Sequence, residues 1–275
     1  MSTILNTSFC ALLLLIFSCG NKNPTDETSA QNMRGDTLTT QSEYAEINTK
    51  DSLLDSLELN IISSLTINQK TDYFESGVPL TKYLKFELIS KAYFDSRKST
   101  AVNFLNADTI PDKKKNGITV LKCRDKTVHF IDKPDAEDAM QIFTYAGEIA
   151  FLDKFLIGGS YWESGDYKFI DKTSGEVSNT FVDYPYISPD KKHIICINPN
   201  GYDVTADLEL YEITSKKVTI KMRASFKNWL PSLENQEIFW SSDGYLYLIV
   251  HNAKTYWKDN GHLNEQYQYI RIKIL

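Results

Sequence analysis

The stretch SPDKKHIICI, residues 188–197, runs from a Pro-Asp turn straight into unbroken apolar side chains. Proline presets the backbone for a turn and aspartate bonds its own backbone two residues on, so Ser188–Lys191 reverses the chain. The apolar run that follows is too short for a helix and rich in β-branched residues, which makes it a strand. The same order recurs in LDKFLIGG (152–159) and SSDGYLYLIV (241–250). Each copy is followed by a polar loop and a second strand: YKFIDKTSGEV (167–177), LELYEITSKKV (208–218) and YIRIKIL (269–275). The repeating unit is about forty to fifty residues, the length of one small antiparallel sheet.

Working outward, GITVLKCRDKTVHFID predicts a hairpin, with Ile118–Cys123 and Thr127–Ile131 as its strands. Ile270, Ile272 and Ile274 alternate with Arg271 and Lys273, the period of a strand with one wet face. From about residue 85 onward the expectation is mainly β. Before it, Leu53, Leu54, Leu57, Ile61, Ile62 and Leu65 recur at helical spacing, which predicts one amphipathic N-terminal helix.

The turn-plus-strand units resemble the blades of β-propellers of the WD40 or TolB-like kind, whose blades often carry an SPDG turn. Ser188-Pro189-Asp190-Lys191 and Ser241-Ser242-Asp243-Gly244 carry the likeness. It implies a propeller-like array of about four to five antiparallel blades, a small number for a closed ring. A β-sandwich and an incomplete, helix-capped propeller are the alternatives.

The amino terminus reads differently. The apolar run Phe9–Phe17 is about half of the ~20 residues a membrane-spanning helix needs, and suits the central part of a secretory signal. It ends in Ile16-Phe17-Ser18-Cys19, which resembles the lipobox of bacterial lipoproteins. In that family the chain is cut before the cysteine and the cysteine is acylated. The likeness implies a signal peptide over 1–18, a lipid on Cys19, and a cell-envelope location, at the outer membrane. Two or three acyl chains hold a protein on a bilayer where one does not. Residues 20–50 are dominated by Asn, Thr, Ser, Asp and Glu and cannot bury enough to fold. As a coil they span roughly 30 Å, so 19–50 reads as a lipidated tether and 51–275 as the β-rich domain.

The 275-residue chain carries a formal charge of −6, with DKKK at 112–115 as its one short basic run. A nucleic-acid surface is not expected, because that needs a basic patch. Ser188 and Lys191 have the spacing of a penicillin-binding nucleophile pair, but Pro189 and Asp190 make a turn where that chemistry needs a helix. Asn198, Asn200 and Asp203 offer calcium-like oxygens out of step with a calcium loop, and a hairpin turn at Asn200-Gly201 accounts for them. The histidines are far apart, so no metal is expected. Cys123 and Cys196 lie in apolar strand patterns, which fits two buried thiols or a disulfide. The acids of PDAEDA (134–139) read as a solvated loop.

No catalytic residues and no cofactor are assigned. The candidate binding residues are Tyr161 with Trp162 and Tyr256 with Trp257, each pair lying after an apolar strand and before a polar Gly-bearing loop. Trp and Tyr anchor protein interfaces and stack on sugars. The expectation is therefore a non-catalytic, lipid-anchored module that binds a protein or glycan. The rival is an envelope hydrolase or lyase acting on glycan or peptide. An uncharged aromatic site would favour the first, and converging ionisable groups the second.

Overall fold

HIICI is apolar at consecutive positions because its strand is covered on both faces. Ile194 and Cys196 pack toward one neighbouring sheet, Ile195 and Ile197 toward another, and all four are fully buried. This holds in a computed structural model that describes residues 53–67, 70–72, 77–107, 114–232 and 237–275, all belonging to one unit, Glu46–Leu275. The segments expected to be a signal peptide (1–18) and a tether lipidated at Cys19 (19–50) lie outside the described residues.

The strands, in chain order, are β1 (Ile62–Ile67), β2 (Lys70–Asp72), β3 (Leu84–Ile89), β4 (Ala101–Val102), β5 (Lys114–Lys115), β6 (Ile118–Lys122) and β7 (Thr127–Ile131). They continue with β8 (Gln141–Ile149), β9 (Lys154–Tyr161), β10 (Gly165–Asp171), β11 (Val177–Phe181), β12 (Tyr186–Ile187) and β13 (His193–Asn200). The last are β14 (Thr205–Thr214), β15 (Lys217–Phe226), β16 (Trp229–Pro231), β17 (Ile238–Ser241), β18 (Leu246–Asn252) and β19 (Gln268–Ile274). The fold is mainly β, and every strand pair is antiparallel.

Four sheets result. Sheet 1 is β5-β6-β7; sheet 2 is β8 to β11 in chain order; sheet 3 is β12-β13-β14-β15 extended by β1 and β2. Sheet 4 runs β4-β17-β18-β19-β3, with β16 also on β18. Three apolar layers join them in series. Leu121 and Phe130 of sheet 1 meet Phe143, Phe155 and Ile157 of sheet 2. Leu156, Phe169 and Phe181 of sheet 2 meet Ile194, Cys196 and Tyr211 of sheet 3. The largest layer sets Ile195, Leu208 and Phe226 of sheet 3 against Phe86, Leu248 and Ile272 of sheet 4. Among the described residues no buried cluster joins sheet 1 to sheet 4, so the sheets make neither a closed barrel nor a closed ring.

The repeated turns are real and share their hydrogen bonds. Asp153 N–H donates to Ala150 O, Lys191 N–H to Ser188 O and Gly244 N–H to Ser241 O, and the donor residue is left-handed each time (φ 60, 60 and 82°). Asp190 Oδ1 accepts from Lys192 N–H and Asp243 Oδ1 from Tyr245 N–H, the self-bonding that favours Asp in such turns. Each turn leads from one strand into its antiparallel neighbour: β8 to β9, β12 to β13, β17 to β18.

The N-terminal helix expected over 53–65 does not form. A 3-10 turn at Glu58–Asn60, held by Asp55 accepting from Leu57 and Glu58 N–H, leads into β1, which pairs with β15. Leu54, Leu59, Ile62 and Leu65 are buried, while Leu57, central to the helical stripe, is 79% exposed. The β-branched run Ile61, Ile62, Thr66 and Ile67 suits a strand, and the edge of β15 supplies the pairing that outweighs a marginal helix. The one α-helix among the described residues, α1 (Lys91–Arg97), is capped by Ser90, whose hydroxyl accepts from Tyr93 N–H. Its Phe94 is buried on the outer face of sheet 4 against Tyr247 and Ile249.

Candidate functional site

The aromatic pairs do not form one kind of surface. Trp162 and Trp257 are 64% and 52% exposed, as displayed side chains should be. Tyr256 is 1% exposed, its ring edge-on to His251 and Trp257, so its place among the exposed binding residues is corrected to the core. Tyr161 is half-buried: its hydroxyl donates to Asp166 and accepts from the Lys168 ammonium. The two pairs are not equivalent positions either. Tyr161 still belongs to β9, whereas Tyr256 comes after β18 has ended and a 3-10 turn, Ala253–Thr255, has intervened.

The motifs read as structural are structural. Ser188 Oγ donates to Asp190 and accepts from His193 N–H, while the Lys191 ammonium lies 5.0 Å over the rings of Phe104 and Phe151. Asn200 caps the β13–β14 loop by accepting from Tyr202 and Asp203 N–H. That loop runs over 201–204, longer than the two-residue turn expected, with Val204 as its left-handed residue. No group of potential metal ligands occurs among the described residues. Cys123 and Cys196 are free thiols in different layers, and burial pushes both up from the ordinary thiol range.

No local motif points to Ser232 beside His251. His251 Nε2 lies 3.1 Å from Ser232 Oγ and its Nδ1 3.1 Å from Gln266 O. A carbonyl only accepts, so Nδ1 carries the proton and Nε2 accepts from the serine. Both residues are buried, and the pair satisfies polar groups in the core.

A more open site lies where the strands that precede the repeated turns meet. A cleft of about 400 Å³ is bounded by β4 and β17 of sheet 4, β12 of sheet 3 and the end of β8 in sheet 2. Three of its walls, Ile149, Ile187 and Trp240, are the residues immediately before the three repeated turns. The repeat therefore builds the cleft. Phe104 and Leu105 enter it from the segment after β4, which is fixed to sheet 2 by reciprocal backbone bonds between Asn106 and Glu148. Gly147 permits that approach: at φ +147°, an added Cβ would sit 2.6 Å from Asn106 O.

The remaining walls include Tyr184, Tyr186 and Phe239, and none of the lining residues is Asp, Glu, Lys, Arg or His. Trp240 Nε1 donates to Tyr186 O at 2.9 Å, tying sheet 4 to sheet 3 across the cleft. The rings of Tyr184 and Tyr186 stand edge-to-face at 4.8 Å, with Tyr167 behind them at 5.5 Å from Tyr184. Burial pushes Tyr184 up to about 12 and Tyr186 higher still, so both phenols keep their protons. Just outside the wall, Asp183 is half-buried, and loss of hydration raises its carboxyl to about 6 although Tyr184 N–H donates to it at 2.5 Å.

No known family model, curated protein or solved structure matches the chain. Among the described residues no helix is long and apolar enough to cross a membrane.

Proposed function

We propose that this protein is a non-catalytic binding module of the bacterial envelope, attached by lipid at Cys19, and that its ligand site is the cleft at the strands that precede the repeated turns. The four sheets are then blades of an incomplete propeller capped by α1. The observation that carries the reading is the composition of the cleft: aromatic and aliphatic side chains from three sheets, no Asp, Glu, Lys, Arg or His in the walls, and two tyrosines whose burial keeps their phenols protonated. Acid–base or nucleophilic catalysis needs titrating groups to converge, whereas an apolar, pre-formed pocket with a few polar groups is what ligand binding needs. The cleft replaces the aromatic loops as the principal site, leaving Trp162 and Trp257 as displayed side chains that a macromolecular partner can use.

Two experiments test the two halves of this proposal. Cys19→Ala should move the protein from the membrane fraction to the soluble fraction, and labelled palmitate should enter only the parent chain; unchanged partitioning ends the anchor. For the cleft, calorimetric titration of the detergent-solubilised full chain with a neutral aromatic, 1-naphthalenemethanol, should give saturable binding. Val102→Trp, which fills the cleft from β4, should remove it, while Trp162→Ala and Trp257→Ala should not. Binding that survives Val102→Trp puts the site elsewhere.

A further inference from the structure

We propose that the cleft takes an organic cation, an ammonium carried on an apolar ring or chain, with the Asp183 carboxylate as its counter-ion. This rests on the cleft being the ligand site and names the chemistry of what enters it. The first observation is an imbalance of charge. Four recessed carboxylates meet cations, Asp171 with Lys154 at 2.5 Å, Glu148 with Lys172 at 2.5 Å, Glu209 with Arg223 at 2.8 Å and Glu87 with Arg271 at 2.8 Å, whereas the half-buried Asp207 is held by the Ser225 hydroxyl. Asp183 has no such partner among the described residues. Its one hydrogen bond comes from the amide of the next residue, Tyr184.

The position of this carboxylate is the second observation. It is the residue directly before the stretch Tyr184–Ile187 that lines the cleft, in the crossing from β11 to β12. A desolvated charge without a partner is costly, and a cation arriving with the ligand would offset that cost. The walls themselves offer an anion no cationic partner, because no Lys, Arg or His lines them.

Aromatic surface is the third. Phe104, Tyr184, Tyr186, Phe239 and Trp240 surround the space, and ring faces attract ammonium groups most strongly where water is excluded. The rim already does this with the protein's own Lys191, whose ammonium lies over Phe104 and Phe151. The phenol oxygens of Tyr184 and Tyr186, which have no hydrogen-bonding side-chain partner among the described residues, can accept an ammonium N–H.

A charge-matched series on one ring system tests this with the full chain: 1-naphthylmethylamine, 1-naphthalenemethanol and 1-naphthoate, titrated calorimetrically at pH 7.5. The amine should bind about tenfold tighter than the carbinol, and the naphthoate weakest of the three. In Asp183→Asn the amine should lose most of its advantage over the carbinol and keep only what the rings supply, while the carbinol's affinity stays unchanged. The comparison on the parent chain needs no variant, so it stands even if the substitution disturbs folding. An amine that binds no tighter than the carbinol overturns the cation assignment and leaves the cleft as the site, and a preference undiminished in Asp183→Asn removes the role of that carboxylate. Failure of all three probes to bind overturns the cleft reading together with the cation.

Discussion

Trp229→Ala is expected to lower the free energy of unfolding by about 3–5 kcal/mol, enough to consume a large part of a typical domain's stability. Trp229 is fully buried in the layer between sheets 3 and 4. Its ring packs 4.7 Å from Phe226 and 5.9 Å from Phe86, and its Nε1 donates to Leu59 O at 3.1 Å. Truncation removes the packing, opens a cavity that the flanking strands cannot close, and leaves the Leu59 carbonyl without its donor. Trp162→Ala and Trp257→Ala should each stay within about 0.5 kcal/mol of the parent, because both side chains stand mostly in solvent. Urea unfolding of the three variants decides it. Equal losses in all three would mean that the two exposed tryptophans belong to a packed layer.

Asp183→Asn is expected to act in the opposite direction, stabilising the protein by about 1–3 kcal/mol at pH 8. The folded carboxyl titrates at about 6, above its ordinary 3.8. Between those values the native state binds a proton that the unfolded chain does not, so stability falls as pH rises through this window. Above pH 6 the whole cost of holding a desolvated carboxylate is present; below pH 4 it is gone. The groups that feel this carboxylate, the Tyr186 phenol and the Cys196 thiol, stay neutral throughout, because burial raises both. The amide of Asn carries no charge and can still accept from Tyr184 N–H, so the gain should vanish at pH 4. Urea midpoints of parent and variant at pH 8 and pH 4 measure the difference, and a variant less stable than the parent at pH 8 refutes it. A residue that costs stability where nothing in the fold offsets it is what a binding site requires of its charged group.

The strands and turns of this chain were legible because their signals lie within a few residues. Ser188-Pro189-Asp190-Lys191 dictates its own reversal through proline's fixed φ and the aspartate's bond to Lys192 N–H, and the run after it is too short and too branched for a helix. The hairpin of β6 and β7 was read correctly for the same reason. Over 53–65 a local signal existed but was degenerate, since leucines and isoleucines at those spacings fit a helix face or a turn and a strand equally. The edge of β15, more than 150 residues away, chose the strand.

Which side of a residue faces protein is not encoded locally at all. Tyr256 and Trp257 are neighbours of similar character, yet one is in the core and the other in solvent, because burial depends on the sheet that happens to lie above. The cleft shows both cases in one place. Ile149, Ile187 and Trp240 precede recognisable turns, so their shared position was written in the repeat, but that the three converge follows from how sheets 2, 3 and 4 pack. Asp183 in the sequence is one acid in a polar connection. Its meaning comes from the water it has lost and the cation it lacks, and both are set by residues distant in the chain.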